Sequence, residues 1–206
     1  NRAVLIQLQF LLEHLQYEVI QGNDDVMVTE LVNDSRRVCE GSVFVCISGA
    51  VSDGHSYIAD VAEKKAAAVI VEKDVKLPEG LTVIKVSDTR YALALMSAAY
   101  FGYPADRLKV IGITGTKGKT TTTYMVKSIL EGVGHKVGLI GTIEVLIGDK
   151  SIPANNTTPE SYTIQKYFAE MVKAGCDSVV MEVSSQGLML HRTAGIPFEI
   201  GIFTNL

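Results

Sequence analysis

Short β-branched runs alternate along this chain with longer stretches in which apolar residues recur at helical spacing. Strands are predicted at 26–32 (VMVTELV), 42–48 (SVFVCIS), 67–72 (AAVIVE) and 81–86 (LTVIKV), with helices at 56–65 and 90–101. Gly102-Tyr103-Pro104 then interrupts the pattern as a linker. Beyond it, strands are predicted at 108–113, 136–143, 177–183 and 199–203, and helices at 119–131 and 159–174. Alternation of this kind predicts an α/β protein with mostly parallel sheets in two domains: a small N-terminal one over 1–103 and a central one over 104–206. The opening NRAVLIQLQFLLEHL carries Glu13 and His14 in helical rhythm and predicts an amphipathic helix. No run reaches the roughly 18 apolar residues of a membrane span. The chain begins at Asn1 rather than at a methionine and stops on the apolar strand IFTNL. That pattern predicts an excised piece whose central domain is incomplete at its C-terminus.

With 206 residues, 47% hydrophobic and 20% charged, the chain can bury a sizeable core. A net charge of -4 leaves no broad basic face for a nucleic-acid backbone, so a polyanionic ligand must be held by a few local groups. A small ligand fits that better than DNA or RNA. The three cysteines, Cys39, Cys46 and Cys176, are far apart and set in apolar runs, which predicts reduced core thiols of a cytoplasmic protein.

The densest candidate chemistry lies in VIGITGTKGKTTTTY at 110–124. A buried strand runs into a glycine turn and then into a helix whose apolar positions are Met125, Val126, Ile129, Leu130 and Val133. That is the context of a phosphate loop. Backbone N–H groups of Gly115, Thr116, Lys117 and Gly118 turn toward phosphate oxygens, Lys119 reaches the β and γ phosphates, and Thr120 ligates Mg²⁺. The strict G-x-x-x-x-G-K-[ST] pattern is not met, because Ile113 stands where its first glycine belongs. An incidental lysine on a glycine-rich turn is the bland alternative, and the placement of Gly-Lys-Thr at the strand-to-helix junction argues against it.

Weaker signals flank this loop. Asp34-Ser35-Arg36 reads equally as a capped turn or a ligand site, Asp53-Gly54 as a turn that shapes a pocket, and His55 as an ordinary loop histidine. Thr158 is predicted as a helix N-cap with Pro159 at the first helical position, while Asn155, Asn156 and Thr157 place more polar groups there than a cap requires. Glu182 interrupts the apolar run SVVMEVSS near the end of a strand, as either a buried salt-bridge partner or a metal ligand across from Thr120.

The segment ITGTKGKTTT resembles the nucleotide loop of the Mur ligases, a family that departs from the strict pattern in the same way. DSRRV at 34–38, GSVFVCISG after it and DGHSYI at 53–58 look like the family's N-terminal uridine-binding domain. NTTPES at 156–161, MEVSSQGL at 181–188 and the terminal FTNL look like the branch that adds the third residue of the peptidoglycan stem peptide. The branch adding D-Ala-D-Ala shares the DSR and DGH signals but not this combination.

The resemblance implies a cytoplasmic, monomeric ATP- and Mg²⁺-dependent amide ligase of cell-wall precursor synthesis. It would phosphorylate the D-Glu γ-carboxylate of UDP-MurNAc-L-Ala-D-Glu and let a diamino acid attack the acyl phosphate. It further implies that Asn33, Ser35 and the loop of Ala50, Val51 and Ser52 contact the uridine. Asn156, Thr157, Thr158, Ser184 and Arg192 would touch the muramyl peptide, Gly115 through Thr121 the nucleotide, and Thr120 with Glu182 the metal. Lys119 and Glu182 are the catalytic candidates. Two positions depart from the family: Gln186, where histidine is common, and Leu190, where some members use glutamine. In the family the second metal and the acceptor site are built by residues after the segment ending at Leu206, which implies that this chain alone forms no product. The rivals from other classes are a nucleotide-driven ATPase switch and a non-catalytic nucleotide-sugar binder.

Overall fold

The computed structural model describes residues 4–205, so the first three residues of the expected N-terminal helix lie outside them. The chain divides into two compact units, Asn1–Tyr100 and Phe101–Leu206.

The first unit is built on β2 (Glu18–Gln21), β4 (Glu30–Val32), β5 (Ser42–Val45), β6 (Ala68–Val71) and β7 (Thr82–Lys85), in the order β2-β7-β6-β5-β4. The β4 to β7 pairings are parallel, and β2 closes the edge antiparallel to β7. Central strands β5 and β6 are buried at every residue, as continuous apolar strands covered on both faces must be. Among the helices, α2 (Ile58–Glu63) puts Ile58 and Val61 into a cluster with Phe44, Val69 and Val83. The longer α3 (Thr89–Tyr100) buries Ala92, Leu93 and Met96.

Several expectations for this unit are corrected. The run 26–32 is not one strand: at Thr29 the backbone N–H turns to Gly41 O (2.9 Å), and the run breaks into β3 (Met27–Val28) and β4. The N-terminal helix is a single turn, α1 (Leu8–Leu11), because the preceding residues are drawn into β1 (Ile6–Gln7), antiparallel to β3. Strand β2 went unpredicted since its EVIQ is largely exposed and shows no alternation; pairing with β7 makes it a strand. The helix expected at 56–65 starts as a 3-10 turn at Gly54–Tyr57. Cys46 and Cys176 are buried, and burial pushes the Cys46 thiol up to about 12, but Cys39 is exposed and is not a core thiol.

In the second unit the strands are β8 (Lys109–Thr114), β9 (Val137–Ile140), β10 (Glu144–Ile147), β11 (Lys150–Pro153), β12 (Ser178–Glu182) and β13 (Phe198–Phe203). Their order is β11-β10-β9-β12-β8-β13, with β9, β12, β8 and β13 parallel and a β10–β11 hairpin antiparallel at one edge. Alternate residues of the central strands face opposite sides, as the period of two requires. Val110, Val179 and Met181 meet Phe168 and Met171 of α5 (Ser161–Lys173), while Ile111, Ile113 and Val180 meet Val126 and Leu130 of α4 (Lys119–Gly132). Only Val126 and Leu130 of the five-residue apolar stripe expected for α4 are inward, since Met125, Ile129 and Val133 are exposed. The strand expected at 136–143 stops at Ile140, where the chain turns toward the hairpin, which was not expected. A short α6 (Ser185–Met189) follows β12. Since β12 lies between β8 and β9, the loops after β8, β9 and β12 emerge together at the carboxyl end of the sheet, where ligands of open α/β sheets bind. Among the described residues no helix is long and apolar enough to cross a membrane.

Candidate functional site

Strand β8 delivers the chain into a turn that only glycine makes cheaply. Gly115 has φ 136°, and a Cβ there would come within 3.1 Å of Asn205 N and closer still to the Thr204 hydroxyl. Gly118, at φ 82°, is the N-cap of α4. Residues 116–121 then line a cavity of about 240 Å³ with Thr142, Thr157, Glu182 and Ser184. Lys119 Nζ donates to Gly115 O at 2.7 Å, so its ammonium rests on the loop itself.

Glu182, the last residue of β12, is 1% exposed. Its Oε1 accepts from Thr120 Oγ1 (2.9 Å) and Thr142 Oγ1 (3.2 Å), and its Oε2 accepts from the Thr142 N–H (2.6 Å). These partners are hydroxyls and an amide, not a lysine or arginine. A Cβ on Gly141 would stand 2.6 Å from Oε2, so the carboxylate occupies space that only glycine leaves. A buried carboxylate oxygen beside a threonine hydroxyl is a hard-oxygen donor pair, and it fits Mg²⁺, which takes one or two protein oxygens and completes its shell with water and phosphate. An all-protein cage is not offered: no cluster of three or more His, Cys, Asp or Glu suited to a metal occurs among the described residues.

Thr158 is corrected from its expected place as a cap. Helix α5 has Glu160 as N-cap and begins at Ser161, because the Thr158 hydroxyl is engaged elsewhere. It donates to Glu182 O (3.0 Å) and accepts from the Ser184 N–H (2.9 Å), tying the loop before α5 to the end of β12. Ser184 in turn caps α6 through Gly187 N (3.0 Å). Arg192 turns inward, donating to Thr158 O (3.0 Å) and Glu160 Oε1 (2.9 Å), and so braces this loop. Thr157 and Ser184 line the cavity, whereas Asn156 is exposed and does not. Thr142 was not singled out in the sequence; its one local signal is its place after Gly141 at the end of β9.

The first unit holds its own cavity, of about 580 Å³, beyond the carboxyl ends of β4 and β5. Asn33, Ser35 and Ser52 line it together with Arg36 of the Asp34-Ser35-Arg36 turn and with Phe44 and Tyr57, two aromatic residues that carried no site signal in the sequence. Ala50 and Val51 do not line it, and Val51 is 101% exposed. Asp34 accepts from the Arg36 N–H (3.0 Å) and from its guanidinium (3.0 and 2.8 Å), which holds the Asp34 carboxyl down at about 2.

His55 is corrected too: it is a buried strut, not a loop histidine. Its Nε2 accepts from the Glu72 N–H (3.1 Å), which leaves Nδ1 as the protonated nitrogen donating to Asp53 Oδ1 (2.7 Å). Asp53 also takes the Lys73 ammonium, and that bond with those from His55 keeps its carboxyl well below the usual range.

Comparison with known proteins matches residues 113–206 to the Mur ligase middle domain and residues 28–101 to the Mur ligase family catalytic domain. A UDP-N-acetylmuramoyl-L-alanyl-D-glutamate–2,6-diaminopimelate ligase of Clostridium perfringens is 53% identical over 199 residues, covering 97% of this chain and 41% of that protein. A solved structure of a ligase with the same name superposes with a TM-score of 0.80 at 21% identity, over 98% of this chain and 41% of that one. MurF ligase from Thermotoga maritima in complex with ADP has a TM-score of 0.54 at 24% identity, over 85% of this chain and 37% of that one. The chain thus spans about two-fifths of the length of the curated relative it matches.

Proposed function

Because the chain belongs to the Mur ligase family, we propose that it carries the uridine-binding and ATP-binding parts of a cytoplasmic ligase that joins 2,6-diaminopimelate to UDP-MurNAc-L-Ala-D-Glu. The observation that carries this reading is the convergence of residues 116–121 with buried Glu182 in one cavity that Thr142, Thr157 and Ser184 also line. The uridine end of the substrate is assigned to the cavity of Asn33, Ser35 and Ser52. The acceptor is taken from the name of the Clostridium perfringens relative; L-lysine is the alternative diamino acid.

In the proposed reaction the γ-phosphoryl group of ATP passes to the D-Glu γ-carboxylate as the bond to the β-phosphate breaks and ADP leaves. The amine of the diamino acid then attacks the acyl carbon, expels phosphate and loses its proton as the amide forms. The residues of this chain bind and neutralise rather than form covalent bonds, as phosphoryl transfer requires. First-turn N–H groups of α4 receive phosphate oxygens. Lys119 needs only to exchange its bond to Gly115 O for a phosphate oxygen. Thr120 and Glu182 would hold Mg²⁺, which screens the phosphate charge when bound. Thr142 fixes both Glu182 oxygens and so aims the carboxylate.

The test is to incubate the full protein bearing this chain with MgATP, UDP-MurNAc-L-Ala-D-Glu and either diaminopimelate or L-lysine, and to follow product by mass spectrometry. The expected result is tripeptide product with diaminopimelate. Phosphate release that needs no UDP-sugar, without product, would overturn the ligase reading in favour of an ATPase switch.

A further inference from the structure

Two neighbouring N–H groups of the loop, those of Thr116 and Lys117, donate to a single oxygen, Asn205 Oδ1, each at 3.0 Å. The Thr116 hydroxyl donates to the same atom. An oxygen that collects three donors on a glycine-rich loop is normally an anion's; here a neutral side chain from the far end of β13 supplies it. The other half of the carboxamide closes the contact, since Asn205 Nδ2 donates to Lys117 O at 2.9 Å. Thr204 adds Oγ1 to Lys117 O (2.6 Å) and its N–H to Thr114 O (3.0 Å), continuing the β13–β8 register into the loop.

We propose that Asn205 is a positioning residue of the phosphate loop, clamping the Thr116-Lys117 segment from behind so that the residues after it present their N–H groups to the nucleotide. This deepens, and rests on, the reading of 115–121 as a phosphate loop. Two observations decide between a clamp and a plug that competes with phosphate. Asn205 does not line the cavity, although residues 116–121 do. Its backbone comes within 3.1 Å of where a Cβ at Gly115 would stand, and Gly115 is the residue of the turn that does not line the cavity and where glycine alone leaves room. With the N–H groups of Thr116 and Lys117 satisfied by Asn205, Gly118 to Thr121 form the first turn of α4, whose N–H groups have no acceptor within the helix. The amide is the side chain this role demands. Aspartate would lose the donor to Lys117 O and bring a negative charge toward the phosphates, and leucine would lose all four bonds.

The experiment is calorimetric titration of MgADP into the protein and its Asn205→Ala and Asn205→Asp variants, with hydrogen exchange of the loop and of β8 and β13. Asn205→Ala removes the clamp and is expected to weaken MgADP by about ten- to thirtyfold, since loosening the loop forfeits only part of the worth of its hydrogen bonds. Asn205→Asp is expected to lose at least as much. Protection at the Thr116 and Lys117 amides should vanish in Asn205→Ala while that of β8 and β13 is kept. MgADP affinity unchanged or tightened in Asn205→Ala overturns the clamp and leaves the phosphate loop standing. Loss of β8 and β13 protection in both variants would mark Asn205 as a general strand-end residue and overturn it as well. Absence of MgADP binding in the unaltered protein overturns both readings.

Discussion

Thr120 Oγ1 donates to Glu182 Oε1 across 2.9 Å, joining the first turn of α4 to the last residue of β12. The two residues are far apart in sequence and meet because β12 lies directly beside β8 in the sheet. If this pair holds Mg²⁺, Thr120→Val should cut the Mg²⁺-dependent gain in ATP affinity by about tenfold or more, as loss of a bond to a charged centre does. Binding without Mg²⁺ should change little. Calorimetry in Mg²⁺ and in EDTA reads both, and an unchanged Mg²⁺ increment would remove Thr120 from the metal site.

In the first unit, Ser35 lines the cavity and Val51 projects into solvent. Ser35→Ala is expected to weaken UDP by about tenfold, the cost of a hydrogen bond to a charged or strongly polar ligand. Val51→Ala should leave the affinity within about twofold, because an exposed side chain off the cavity contributes little. Equal effects of the two substitutions would show that the uridine lies elsewhere.

His55 bridges Asp53 and the Glu72 N–H from a buried position. His55→Ala leaves the Glu72 N–H without its partner and removes one of the bonds to Asp53 Oδ1, which keeps those from the residue 55 N–H and Ser48 Oγ, at a cost of about 1–3 kcal/mol. Urea unfolding followed by circular dichroism, with hydrogen exchange at Glu72, should show both the loss and a freed amide. A Glu72 amide that stays protected would mean that the strut is not what secures it.

Asp34 sits at about 2 rather than 3.8 because of its bonds to Arg36. Since the folded value is depressed, the contribution of the ionised carboxylate is present above 3.8 and is lost as the pH falls through about 2. The turn that lines the cavity should therefore keep its shape through mildly acid conditions. Carbon-13 titration should place Asp34 near 2, and Arg36→Ala should return it toward 3.8. No movement in that variant would assign the shift to another cause.

What could be read from the sequence was what is local. The loop at 115–120 is legible because strand, glycines, lysine and helix are contiguous, and each carries its own conformational preference. Glu182 is legible as a charge inside an apolar run, and Asp34 and Asp53 as caps of the turns they begin. The same local signals misled where a tertiary partner outweighed them. The helical rhythm of the N-terminal segment gave way to pairing between β1 and β3, and the run at 26–32 broke when the Thr29 N–H found Gly41 O. Thr158 reads as a cap until the chain brings Glu182 O and Ser184 N within reach of its hydroxyl.

The sequence by itself determined the two α/β units, the glycine-rich strand-to-helix turn with its lysine and the carboxylate that could face it, because periodicity, turn chemistry and a charge in an apolar run are properties of neighbouring residues. Only the tertiary structure decided that Thr142 aims Glu182, that Arg192 braces a loop, that His55 is a strut and that Asn205 grips the loop. Those roles belong to donors and acceptors whose partners are distant in the sequence. The strand orders of the two sheets, β2-β7-β6-β5-β4 and β11-β10-β9-β12-β8-β13, which no periodicity encodes, set which hydroxyl, amide or carboxylate comes within about 3 Å of which.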